Sequence, residues 1–133
     1  MNLNQATDYA FRAVLYLARQ SKGKVVEAQV IARHEVVPMR FLLKIMPSLI
    51  RAGIVRSQRG VGGGYCLARD PEKITFLDVL EAVEGPVSIN RCLNEPDSCS
   101  KNGAPECPVH QTLSGIQAKL VQELKSHNFA ELL

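Results

Sequence analysis

Between residues 5 and 20 apolar side chains recur at Ala10, Ala13, Val14, Leu17 and Ala18, the spacing of a helix with one buried face. Ser21-Lys22-Gly23-Lys24 reads as a turn, Val25-Val26 as a short extended piece, and residues 27–34 as a second, short helix closing near Glu35. A tight connection leads to a third helix. Pro38 suits its first turn, where a missing N–H costs nothing, and Leu42, Ile45, Met46, Leu49 and Ile50 supply a buried stripe that stops at Gly53. Pro47 falls inside that stripe and removes a backbone donor, so a kink or a break after Met46 is expected.

The pattern then changes. Residues 54–58 read as a strand, Arg59 to Gly64 as a glycine-rich turn, and residues 65–68 as the returning strand of a hairpin. Phe76, Val79, Leu80 and Val83 share one face of a helix over 75–84, closed by Gly85-Pro86. Residues 86–107 have no period. They hold Pro86, Pro96, Gly103, Pro105 and three cysteines, and a loop of this length needs something beyond local structure to order it. In a last helix over 108–126, Val109, Leu113, Ile116 and Leu120 fall at spacings of four, three and four, the seam of a helix that pairs with a partner.

The fold class expected is therefore mainly α with a small β-hairpin. The element order is that of a winged helix-turn-helix, in which the third helix enters the DNA major groove and the hairpin reaches the flanking backbone or minor groove. Residues 1–74 would form the DNA-binding unit. Residues 75–133 would carry a further helix, the cysteine-bearing loop 86–107 and a long dimerisation helix, 108–126.

Charge sharpens this division. Up to residue 69 there are eleven Lys and Arg against Asp8, Glu27 and Glu35, a net +8, whereas the remainder carries −5. Between residues 36 and 69 six basic residues meet no acid, the signature of a surface that faces a polyanion. Arg40 and Lys44 lie one turn apart near the start of the third helix. Arg side chains can fork onto guanine edges or enter a narrow minor groove, so the candidate DNA-binding set is Arg40, Lys44, Arg51, Arg56, Ser57, Arg59, Gly60, Gly62 and Gly63. A dinucleotide-binding role for the glycine run fails on context, because such a loop opens a helix and here a strand follows.

With 133 residues, 46% hydrophobic and 22% charged, the chain suits one globular domain or a small domain with an arm. No stretch is long and apolar enough to span a membrane, and the opening residues lack the pattern of a secretory signal, so a cytoplasmic protein is expected. In a reducing compartment four cysteines are metal ligands, reactive groups or buried thiols rather than a disulfide framework. Cys66, between Tyr65 and Leu67 on a strand, reads as a packed hydrophobe. Cys92, Cys99 and Cys107, with His110 close behind, offer three thiolates and an imidazole to zinc or to an iron-sulfur cluster, and the wide gaps between them lean toward the larger object. His34 and His127 read as surface residues. No serine-histidine-acid set, paired carboxylates or nucleotide loop can be assembled, so an enzyme is not expected.

Leu3, Thr7-Asp8-Tyr9-Ala10, Arg51 to Ser57, Arg59-Gly60-Val61-Gly62-Gly63-Gly64-Tyr65, Ile74 to Val79 and the three downstream cysteines together resemble one bacterial family across nearly the whole chain. It is the winged-helix family of the iron-sulfur cluster assembly regulator (IscR) and the nitric-oxide-sensitive repressor (NsrR). The resemblance implies a homodimer joined by the last helix, bound to a palindromic double-stranded DNA operator. It further implies a 4Fe-4S or 2Fe-2S cluster held by Cys92, Cys99 and Cys107. The fourth ligand stays open: His110 matches the assembly-regulator branch, and Asp8 of the partner subunit matches the nitric-oxide branch. The cysteine spacing is wider than the family's usual five and five. The expected function is a transcriptional repressor sensing iron, redox state or nitric oxide. The rivals are a zinc-binding or cluster-free regulator of the same fold and a small iron-sulfur electron-transfer protein.

Overall fold

A computed structural model of the chain describes residues 2–103 and 106–133; Pro105, one of the loop breakers, lies outside the described residues. Helix α1 (Gln5–Ala18) starts where the Asn4 side chain accepts the Thr7 backbone N–H at 2.8 Å. It presents Ala10, Ala13, Val14, Leu17 and Ala18 to the core, the stripe its periodicity predicts. Helix α2 (Ala28–Glu35) contributes Ile31 and ends at Val36, whose φ of 54° puts a β-branched side chain in the left-handed region.

Pro38 caps helix α3 (Met39–Arg51) rather than entering its first turn. Its extended ψ of 134° sets the tight connection from α2. Pro47 does not break α3, because Leu42, Ile45, Met46 and Leu49 bury both halves of the helix against the same core, and that burial outweighs one missing backbone bond.

Strands β1 (Val55–Gln58) and β2 (Gly64–Leu67) pair antiparallel, with Val55 opposite Leu67, Arg56 opposite Cys66, Ser57 opposite Tyr65 and Gln58 opposite Gly64. The extended piece expected at 25–26 joins them: Val26 and Tyr65 exchange both backbone hydrogen bonds at 2.8 Å. Gly64 makes this approach possible, since a Cβ there would sit 2.1 Å from the Val26 carbonyl oxygen. The returning strand starts one residue earlier than its apolar run indicated.

Arg69 fastens the hairpin to the end of α3. Its guanidinium donates to the carbonyls of Ala52, Gly53 and Lys73 at 3.3, 3.2 and 3.1 Å and pairs with Asp78 at 3.5 Å. A cation at the C-terminal end of α3 also complements the helix dipole. One of the six basic residues of the acid-free stretch is thus committed inside the fold.

A short 3₁₀ turn (Pro71–Lys73) leads to helix α4 (Phe76–Glu84), which opens on a capping box: Thr75 Oγ1 accepts the Asp78 N–H and Asp78 accepts the Thr75 N–H, each at 3.0 Å. At its other end Glu84 accepts the Thr7 hydroxyl and lies at the N-terminus of α1, where a negative charge is favoured. The loop after it is not structureless. It forms a four-residue helix α5 (Arg91–Asn94) and a 3₁₀ turn (Pro96–Ser98) before helix α6 (Pro108–Ser126), whose bounds agree with the sequence. α6 buries none of its side chains, although it packs beside α4 and α5.

One element escaped the sequence pattern. Residues Phe129–Leu132 form a 3₁₀ turn that returns Phe129 to the core, 1% exposed. Phe129 donates its backbone N–H to Ile74 at 3.1 Å and stacks on Phe76 with ring centroids 4.8 Å apart. Among the described residues no helix is long and apolar enough to cross a membrane.

Candidate nucleic-acid interface and cysteine loop

The exposed side of α3 carries Arg40, Lys44 and Arg51, all turned away from the buried stripe. The Arg40 guanidinium lies over the Phe41 ring, 5.0 Å from its centroid, which holds the charge on the surface. Arg51 donates to Ser48 Oγ at 3.2 Å. These cations stand beside the hairpin, whose tip carries an exposed Arg59.

The turn itself is built by glycines. Gly63 donates its N–H to the Gly60 carbonyl at 3.0 Å, and Gly62 adopts φ 75°, which a side chain would strain. At Gly63 a Cβ would come within 2.3 Å of the Gln58 carbonyl oxygen, so the backbone closes on itself and lifts the tip clear of the core. Ser57, Gln58 and Arg59 border a groove shared with Pro47 and Ile50 of α3. Arg56 lies outside that groove and donates to Cys66 Sγ at 3.4 Å. Cys66 is 3% exposed, the packed thiol expected.

The other three cysteines are free and half-buried. Cys92, on α5, lies against His110, on the first turns of α6, with Sγ 3.4 Å from Nδ1. Cys99 and Cys107 flank Gly103, where a single Cβ position would lie 3.9 and 3.7 Å from their sulfurs. The Gly103 backbone N–H, followed by that of Lys101, holds the Cys99 thiol below its ordinary value, with Asn102 and the Lys101 charge adding to the effect. The four candidate ligands thus meet as two pairs, and among the described residues no three of them converge on one metal position. Asp8 faces its own chain here, paired with Arg12 at 2.8 Å.

His34 and His127 are both exposed. His34 stacks on Tyr16, and His127 sits between Glu123 and Glu131, 2.9 and 2.6 Å away. Those two carboxylates raise its pKa, Glu123 most. Phe129 and Arg69 are the residues that sequence reasoning missed in shaping this region, because their partners lie far away in sequence.

Known proteins agree with this architecture. The family profile described as Rrf2, iron-dependent transcriptional regulator, matches residues 3–133. A relative from Shouchella clausii, the HTH-type transcriptional regulator NsrR, is 30% identical over 134 residues, spanning 100% of this chain and 89% of that protein. A transcriptional regulator from Listeria innocua superimposes with a TM-score of 0.79 at 26% identity, over 99% of this chain and 85% of that one. IscR of T. potens shares the fold, with a TM-score of 0.74 at 22% identity over 99% and 85% of the two chains. With the family match running over residues 3–133 and the fold shared with solved regulators, the chain belongs to the Rrf2 family of DNA-binding transcriptional regulators.

Proposed function

We propose that the protein is a dimeric repressor whose operator affinity follows the state of an iron-sulfur cluster. The observation that carries this reading is the placement of three free thiols and an imidazole in a segment none of whose described residues is buried. Their chemistry fits a cluster: three soft thiolate donors, with His110 as a nitrogen donor already against Cys92. Asp8 of the partner subunit is the alternative fourth ligand. The name of the Shouchella clausii relative supports nitric oxide as one signal.

When bound, such a cluster supplies redox- and nitric-oxide-sensitive chemistry and ties α5 to the start of α6. The residues of this chain do the rest. Cys92 and His110 bridge α5 and α6, while Cys99 and Cys107 close the turn around Gly103. α5 follows α4, whose last residue, Glu84, holds the N-terminus of α1 through Thr7. A change at the cysteine loop is therefore covalently and electrostatically connected to the winged unit, which we assign to residues 1–74. Val109, Ile116 and Leu120 are 63%, 51% and 38% exposed and form, with Leu113, the face by which two copies pair. The pair sets two recognition helices against half-sites about one DNA turn apart in a palindrome, where a shift of a few ångströms weakens the fit. Arg40, Lys44, Arg51, Ser57, Arg59 and the backbone of Gly60, Gly62 and Gly63 form the DNA-facing set.

The test is the visible absorption spectrum of anaerobically purified protein, with iron, sulfide and zinc counted on the same sample. A brown protein with a broad charge-transfer band and matching iron and sulfide is expected. A colourless protein that holds zinc or nothing after attempted reconstitution overturns the cluster. Equal operator affinity of folded cluster-free and cluster-bearing dimers overturns the switch.

A further inference from the structure

We propose that the cleft at the root of the hairpin, between the end of α1 and the turn after β2, is a binding site for a small phosphate- or carboxylate-bearing anion. The cleft has a volume of about 530 Å³, within the range of small-molecule sites. Its walls carry five basic side chains, Lys22, Lys24, Arg56, Arg69 and Lys73, against one acid, Asp70. Asp70 is itself paired with Lys22 at 3.3 Å, and Arg69 is engaged by three carbonyls and Asp78.

Lys24, Arg56 and Lys73 remain. None of them forms an ion pair among the described residues. Among the described residues Arg56 donates to the Cys66 sulfur at 3.4 Å, and a thiol is a weak acceptor for a guanidinium with five donors. Three uncommitted cations around a concave wall attract an anion able to accept several charged hydrogen bonds at once.

The residues that line the cleft distinguish it from the groove beside α3. Arg56, Cys66 and Leu67, toward the root of the hairpin, line the cleft, whereas Ser57, Gln58, Gly64 and Tyr65, toward its tip, border the groove shared with Pro47 and Ile50 of α3. Among the described residues the two have no lining residue in common, so the cations of the cleft stand apart from those of α3 and the wing tip. An anion in the cleft bridges the end of α1, the base of the hairpin and the Pro71–Lys73 turn, and so braces the wing at its root. This site is independent of the cysteine loop and does not rest on cluster binding.

Titration of the full chain with inorganic pyrophosphate at constant ionic strength, followed by backbone amide shifts, tests the assignment. Saturable shifts confined to residues 22–24, 56 and 66–73 are expected. The K24Q/K73Q double variant should bind pyrophosphate at least about tenfold more weakly, as for loss of one or more charge-assisted hydrogen bonds, while K44Q on α3 binds it as the parent does. Arg56→Lys, which keeps the charge, should retain part of the affinity. The same variants are measured on a random-sequence duplex, where K24Q/K73Q should change affinity by less than about twofold and K44Q should reduce it. Absent saturation, or saturation that survives K24Q/K73Q, overturns the site. A duplex affinity that falls about tenfold in K24Q/K73Q also overturns it, by assigning these cations to the DNA footprint.

Discussion

Residues 5–84 and residues 85–126 are both largely helical, yet they are ordered by different means. In the first stretch α1, α3, α4 and the hairpin interlock around Val14, Leu42, Met46, Leu49, Ile54, Ile74 and Val79, each 0% exposed. Side chains of that size are worth about 1.5–3 kcal/mol each when fully buried, ample to fix a small domain. In the second, none of the described residues is buried. α6 is held by its neighbours α4 and α5 and by tethers such as the Ile89 N–H donating to Gln117 Oε1 at 3.0 Å. The first stretch holds the buried core, and the second presents free thiols, an imidazole and exposed apolar side chains. On the function proposed above a sensor gains from this division, because the part that responds can be rearranged without melting the part that reads DNA.

The strongest way to break this comparison is at the point where the C-terminal residues enter the core of the first stretch. Phe129→Ala should cost about 3–5 kcal/mol and lower the thermal midpoint by about 10 °C or more, since it empties a fully buried aromatic site against Phe11 and Phe76. An unchanged melt would show the C-terminal turn to be an appendage. Arg59→Ala sharpens the comparison from the other side. It should weaken operator binding by about tenfold and reduce the salt slope by about one, while visible absorbance stays the same, because Arg59 is not among the proposed cluster ligands. Loss of colour in that variant would contradict their independence.

The smallest effect is expected at the seam between α6 and the C-terminal turn. The His127 pKa is raised by Glu123 and Glu131, so the contribution of its charged form is fully present below the unfolded value, about 6.5, and is lost as pH rises through the higher folded value. His127 is exposed, so screening keeps this contribution small. Proton titration of the ring by NMR should give a midpoint above the ordinary histidine value, returning toward it in Glu123→Gln. A midpoint insensitive to that change would remove Glu123 as the cause.

Much of the first stretch was legible in the sequence because its elements are long enough to show a period. The stripes of α1 and α3 and the alternation around the glycine turn each repeat often enough to be read without knowing their partners. Phe129 was invisible for the converse reason: a lone aromatic after the end of a helix has no period, and its burial depends on Ile74 and Phe76, more than fifty residues away. Arg69 counted as surface charge because composition cannot tell a solvated guanidinium from one that clamps Ala52 and Gly53. At the cysteine loop the ligand types were legible, but their meeting as two pairs depends on how α5 folds back on α6, which no local pattern encodes.

The joint between Gly64 and Val26 has an evolutionary consequence. Any side chain at Gly64 collides with the Val26 carbonyl, so that position is closed to change, whereas three residues away Val61 stands entirely in solvent and nothing in the fold restrains it. Mutations can therefore accumulate at Val61 while the glycines that follow it, Gly62, Gly63 and Gly64, hold the turn. With the wing facing DNA as proposed above, a lineage of such proteins can drift toward new promoters by changing that one side chain, without passing through a misfolded ancestor.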